Sequence, residues 1–213
     1  MLGFKLNSNK PLNVLCLGAH CDDVEIGAGG TLLKIFDEYE INSVKWVVFA
    51  SNDVRKNEAI SSANLFLEKV INKFIEINSF RDGFLPFIGA ELKQTFEMLK
   101  VGFTPDIIFT HYRNDRHQDH RLVSDLTWNT WRNHQILEYE IPKYDGDLGI
   151  PNLYVPLDEK YIQQKNKILI ETFESQASKQ WFDEDTFNSL LRLRGMESAS
   201  KYAEAFFARK LII

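Results

Sequence analysis

The sequence predicts an α/β protein, a mostly parallel sheet with helices on both faces. Two observations carry that expectation. Apolar runs rich in β-branched residues alternate with runs of helical spacing as far as about residue 141, as successive strand and helix units do. The chain has 213 residues, 44% of them hydrophobic, enough to bury one globular core.

Each element has its own signal. NVLCLGA (Asn13–Ala19) is an apolar run of strand length. GGTLLKIFDEYE then spaces Leu32, Leu33, Ile35 and Phe36 as one face of a helix. SVKWVVFAS (Ser43–Ser51) is a second strand by its β-branched and aromatic content. VRKNEAISSANLFLEKV is a helix with Ala59, Ala63, Leu67 and Val70 on one side, and KFIEI is a short strand. SFRDGFLPF is a loop with turn chemistry at Asp82–Gly83. AELKQTFEMLK is helical, DIIFTHY (Asp106–Tyr112) is a strand, DHRLVSDLTWNTWRN is helical and ILEYEI is a further strand. The rest differs. PKYDGDLGIPNLYVPL is rich in proline and glycine, with a short strand expected at Leu153–Val155. Helices are expected around Asp158–Phe173 and Glu184–Leu193. No repeat or linker interrupts the chain. Residues 1–213 are therefore read as one domain, with a core over about 11–141 and a C-terminal cap of helices and loops over about 142–213.

The bulk numbers exclude several classes. The net charge is -5, with no basic excess for a nucleic-acid surface; a small anionic ligand needs only a few local arginines. The only cysteines, Cys16 and Cys21, build no disulfide framework. MLGFKLNSNKPL lacks the apolar centre of a signal peptide, and no apolar run approaches membrane-span length. A soluble cytoplasmic protein is expected. A homo-oligomer is compatible with the sequence, which does not set the number of chains.

Two polar clusters stand out. LGAHCDDVEIGAGGTL follows the first strand, and THYRNDRHQDHR (Thr110–Arg121) lies at the end of the DIIFT strand. Together they hold four of the five histidines. Ligands of open α/β sheets bind beyond the carboxyl ends of the strands, so a parallel sheet brings both clusters to one edge. His20 and Asp23 are three apart, as are His117 and His120. Nitrogen and carboxylate donors without cysteine suit a catalytic zinc with three protein ligands. Surplus acids and histidines can serve as a base for water and as a donor to the oxyanion or leaving group. Gly27, Gly29 and Gly30 allow a sharp backbone turn and a helix start close to the sheet. The glycines do not match the dinucleotide fingerprint, which argues against a nicotinamide oxidoreductase.

Taken together, the motifs resemble the LmbE-like, or PIG-L, family of zinc-dependent N-deacetylases of amino-sugar conjugates. The family's A-H-P-D-D-x-E-x-G-x-G-G-T is here Ala19-His20-Cys21-Asp22-Asp23-Val24-Glu25-Ile26-Gly27-Ala28-Gly29-Gly30-Thr31. Its N-D-x-H-P-D-H-R is here Asn114-Asp115-Arg116-His117-Gln118-Asp119-His120-Arg121. Cys21 and Gln118 replace two prolines that neither ligate nor catalyse. Weaker matches give Arg55 and Glu58 in VRKNEA, Asp82 in RDGFL, and Tyr202 and Glu204 in RGMESASKYAEAF. ASNDVR departs from the usual T-x-G-E segment before the arginine. The resemblance implies a Rossmann-like three-layer α/β sandwich. It implies zinc held by His20, Asp23 and His120, Asp22 as general base, and His117 as oxyanion stabiliser or acid, oriented by Asp119. It places Arg55 and Asp82 on sugar hydroxyls and Tyr202 and Glu204 along the site.

Other readings attach to single residues. His111 is read as structural at its strand end and His134 as a surface residue. Trp128 and Trp131 are read as packing, and Arg113, Arg116, Arg192 and Arg194 each as solvated charges. The function expected is zinc-dependent removal of acetate from a small-molecule N-acetylated amino sugar or its conjugate. The alternatives are another metal-assisted hydrolase acting on a different amide or ester, or a sugar-binding non-catalytic protein.

Overall fold

The computed structural model describes residues 10–211; residues 1–9, which carry most of the stretch read above for a signal peptide, lie outside them. Among the described residues seven strands form one sheet: β1 (Leu12–Gly18), β2 (Ile41–Ala50), β3 (Lys73–Phe80), β4 (Ile107–His111), β5 (Gln135–Tyr139), β6 (Leu153–Pro156) and β7 (Ala203–Ala208). Six α-helices accompany them: α1 (Asp23–Glu38), α2 (Asp53–Phe66), α3 (Gly89–Leu99), α4 (Gln118–Thr130), α5 (Glu159–Thr172) and α6 (Glu184–Glu197). The spatial order is β3-β2-β1-β4-β5-β7-β6. The first five strands are parallel, and β7 runs antiparallel to both β5 and β6.

The inner parallel strands β1, β2, β4 and β5 are largely buried on both faces, which accounts for their near-continuous apolar sequences, whereas the edge strand β3 is mostly half-buried or exposed. Val14, Cys16, Trp46, Val48, Phe109 and Tyr139 point to one side, where α1, α2, α5 and α6 pack. Leu15, Leu17, Val47, Phe49 and Ile108 point to the other, against α3 and α4. The expected three-layer α/β sandwich is thus what forms.

Two sequence expectations are corrected. The C-terminal third is not only a cap of helices and loops, because β6 and β7 extend the sheet itself. Nor do the motif glycines make a turn: α1 begins at Asp23, and Gly27, Gly29 and Gly30 are buried inside it. Their use is close approach. A Cβ on Gly27 would stand 2.2 Å from the Tyr139 ring.

The same helix takes support from the far end of the chain. Glu204 of β7 accepts from the amides of Gly30 (2.9 Å) and Thr31 (2.6 Å). Lys165 of α5 donates to the Ile26 carbonyl (2.6 Å) and to Glu204 (2.7 Å). These backbone groups lie inside α1, which runs continuously from Asp23 to Glu38. Here a buried ion pair meets them.

Candidate metal and catalytic centre

The sheet order reverses beside β1: the chain goes from β1 to β2 and β3 on one side, then crosses to β4 and β5 on the other. The crevice at such a reversal is where parallel α/β sheets bind ligands. Both polar clusters open there, one after β1 and one after β4.

After β1 the backbone turns through Ala19–Asp22 into α1. The Ala19 carbonyl is held by the Ala50 amide (2.8 Å), and the Asp23 carboxylate accepts the His20 amide (2.6 Å). After β4 the chain is folded around Asp115, which accepts from the His117 amide (2.8 Å) and from Lys143 Nζ (2.8 Å). His117 caps α4, its Nδ1 accepting from the Asp119 amide at 3.3 Å. His120 sits in the first turn of α4 with Nδ1 on Asp115 Oδ2 at 2.9 Å, which turns Nε2 toward the first cluster.

The result is a small triangle. His20 Nδ1 lies 3.1 Å from His120 Nε2 and 3.4 Å from Asp23 Oδ2, and His120 Nε2 lies 3.5 Å from Asp23 Oδ1. All three side chains are buried. His117 joins His20 and His120 in one group of converging donor atoms. His111, read from the sequence as merely structural, belongs to the cluster. Its Nε2 lies between the Ala19 amide (2.9 Å) and Asp23 Oδ2 (3.2 Å), and its ring stacks on His120.

The charges are strongly coupled. Burial pushes Asp23 up, but His120, His111 and His20 outweigh it and hold the carboxyl well below its ordinary value. Burial pulls His20 down, but Asp23, Asp119 and Asp82 raise it well above the usual imidazole range. Burial and His111 push His120 down to about 3. Burial raises Asp22 against the pull of Arg55, and burial and His20 lower His117.

The remaining expectations divide. Asp82, 64% exposed at its side chain, meets His20 Nε2 at 3.0 Å. Asp119 does not orient His117 through its carboxylate, which accepts from Gly83 N (2.7 Å) and Leu85 N (3.2 Å) and faces His20 Nε2 (3.3 Å). It clamps the Asp82–Leu85 loop onto α4. Gly83 is required there, with φ at 79°. Arg55, expected on sugar hydroxyls, pairs with Asp22 Oδ1 at 2.7 Å.

Tyr202 and Glu204 do not line the centre. Tyr202 packs near Leu157, Ile162 and Leu191, and Glu204 is spent on α1 and Lys165 as described. Arg194 is no solvated charge: it is buried and forked onto Glu140. Asp115 and Lys143 were missed as site residues. Asp115 stood inside the quoted motif, whereas nothing in the sequence marks Lys143.

Among the described residues no helix is long and apolar enough to cross a membrane. A family model described as PIG-L, GlcNAc-PI de-N-acetylase, matches residues 15–131. The chain is 25% identical over 184 residues to the uncharacterized deacetylase YaiS of Escherichia coli (strain K12), covering 75% of this chain and 89% of that one. It is similar to the N,N'-diacetylchitobiose deacetylase from Pyrococcus horikoshii complexed with its inhibitor MPG. There the TM-score is 0.65 at 21% identity, over 91% of this chain and 82% of that one. It is also similar to the zinc inhibited form of teicoplanin deacetylase Orf2, with TM-score 0.71 at 14% identity over 91% of this chain and 96% of that one. The structural likenesses establish the fold. The family match spans more than half of the chain and takes in both polar clusters, and the protein belongs to the PIG-L family of deacetylases.

Proposed function

We propose that this chain is a zinc-dependent N-deacetylase that releases acetate from an N-acetylated amino sugar or its conjugate. One observation carries the reading. The His20, Asp23 and His120 triangle stands beside Asp22, whose Oδ2 is buried without a hydrogen-bond partner. A buried unpartnered carboxylate oxygen calls for a donor. Two imidazoles and one carboxylate, with no thiolate among them, are a donor set that fits a catalytic zinc and leaves it cationic. Zinc held there supplies polarisation of the acetyl carbonyl and a lowered pKa for the attacking water.

The protein's own groups do the rest. Arg55 fixes Asp22 through Oδ1 and leaves Oδ2 to take the proton from water. Burial raises the Asp22 pKa, moving it toward a useful base at neutral pH. His117 spends Nδ1 on the Asp119 amide, so its neutral form carries the proton on Nε2. From there it donates to the developing oxyanion or the departing amine. Asp115 and Lys143 hold His120 in register. Asp82, exposed at the rim, takes a sugar hydroxyl.

Metal analysis paired with acetate release tests the proposal. About one zinc per chain is expected, with activity on N-acetylglucosamine derivatives lost on chelation and restored by zinc. Full activity in metal-free protein would overturn it.

A further inference from the structure

The loop that carries Asp82 also carries three side chains with no role so far. Phe84 is 40% exposed and Phe87 is 79% exposed, with ring centroids 5.7 Å apart. The Arg81 guanidinium lies 3.5 Å above the Phe84 ring. Arg81 is itself exposed, and no carboxylate pairs with it among the described residues. Isolated exposed hydrophobics are ordinary. Here two aromatics and an unpaired cation share one short loop, and that loop is bolted to the centre. Gly83 N and Leu85 N bond to Asp119, Gln118 Nε2 bonds to the Gly83 carbonyl, and Asp82 touches His20. A platform held this firmly beside a reacting group adds a contact without a further ordering cost.

We infer that Arg81, Phe84 and Phe87 form a subsite for the group attached to the sugar, and that this group is aromatic and negatively charged. The inference rests on the deacetylase reading above. In a 2-acetamido sugar the acetamido group and the anomeric substituent occupy adjacent ring carbons. Whatever the sugar is attached to therefore lies within one sugar's breadth of the reacting carbonyl, and Phe84 follows two residues after Asp82, which touches His20 at 3.0 Å. Phe84 and Phe87 offer ring surface for stacking. The stacked guanidinium keeps its donor edge free for a carboxylate or phosphate.

The test uses three substrates: the methyl, phenyl and 4-carboxyphenyl glycosides of N-acetylglucosamine, with acetate release read as kcat/KM. Wild-type protein should favour phenyl over methyl about tenfold, the worth of one aromatic stack, and 4-carboxyphenyl over phenyl by a further several-fold. The double variant Phe84→Ala/Phe87→Ala should erase the first preference, and Arg81→Gln the second. All three residues are exposed, and thermal unfolding of the variants checks that the fold is kept. Equal kcat/KM for the three glycosides would overturn the subsite and leave the deacetylase reading standing. No acetate from any of them, with zinc bound, would overturn both.

Discussion

Arg55 Nη2 donates to Asp22 Oδ1 at 2.7 Å, while Oδ2 of the same carboxylate is buried and unpartnered. The arginine therefore decides which oxygen of Asp22 is free. Arg55→Ala should lower kcat about 10- to 100-fold, the usual cost of losing an orienting partner, with KM little changed. Steady-state kinetics read the split. A large rise in KM at constant kcat would return Arg55 to the sugar-holding role its motif suggested.

Asp22 and Asp23 are neighbours with different surroundings. Asp22 faces an arginine, Asp23 faces three histidines. Asp22→Asn should keep zinc while kcat falls on the order of 10²–10⁴-fold. Asp23→Asn should lose zinc first, with activity partly recovered at high metal. Metal content and kcat across a zinc titration decide; the opposite pattern would exchange the two roles.

His117 joins the cluster from the N-terminus of α4 and is only half-buried. His117→Ala should retain zinc and lose roughly 10²–10⁴-fold in kcat. Loss of the metal in this variant would make His117 a ligand.

Gly27 meets the face of Tyr139, where an added methyl would lie 2.2 Å from the ring. Gly27→Ala should destabilise the fold by about 1–3 kcal/mol, the cost of overpacking a tight core. Chemical denaturation measures it, and a neutral result would mean that α1 can lift off the sheet freely.

Asp37, near the end of α1, accepts from Lys69, Lys160 and Tyr161, and the lysines hold its pKa at about 2. Its unfolded pKa is about 3.9. A lowered folded pKa stabilises the native state above the unfolded value, and that stability is lost as pH falls toward the folded value. Asp37→Asn should therefore cost less than about 1 kcal/mol at neutral pH, because the group is partly exposed. The cost should vanish between about pH 4 and pH 2. Urea unfolding of both proteins across that range provides the check, and a difference that persisted at pH 2 would rule out the ion pairs as its source.

The five parallel strands and six helices were legible because their apolar periods are strong and local. The start of α1 was not. Its first turns hold acids and glycines, poor helix formers chosen here for chemistry and close approach. The strand β7 was missed because AEAFFA lacks β-branched residues and a strict alternation. Its pairing with β5 and β6 is settled by partners far off in sequence. At the site, the histidines and acids of the motifs converge as spacing and topology implied. Which carboxylate meets which neighbour was not readable. Asp119 turns to the loop amides, and Glu204 turns under α1, because contacts between distant segments choose their partners.

The ion pair of Lys165 and Glu204 beneath α1 also joins the first-made part of the chain to its last-made part. A ribosome delivers chains from the N-terminus, so α1 and both reactive motifs emerge while residues 165 and 204 are still unsynthesised. Until then the Ile26 carbonyl and the Gly30 and Thr31 amides lack the side chains that meet them in the finished fold. Both motifs end by Arg121, whereas the side chains that meet α1 from below come from positions 165 and 204. The seating of α1, the helix that carries most of the first motif, therefore depends on residues that lie outside either motif.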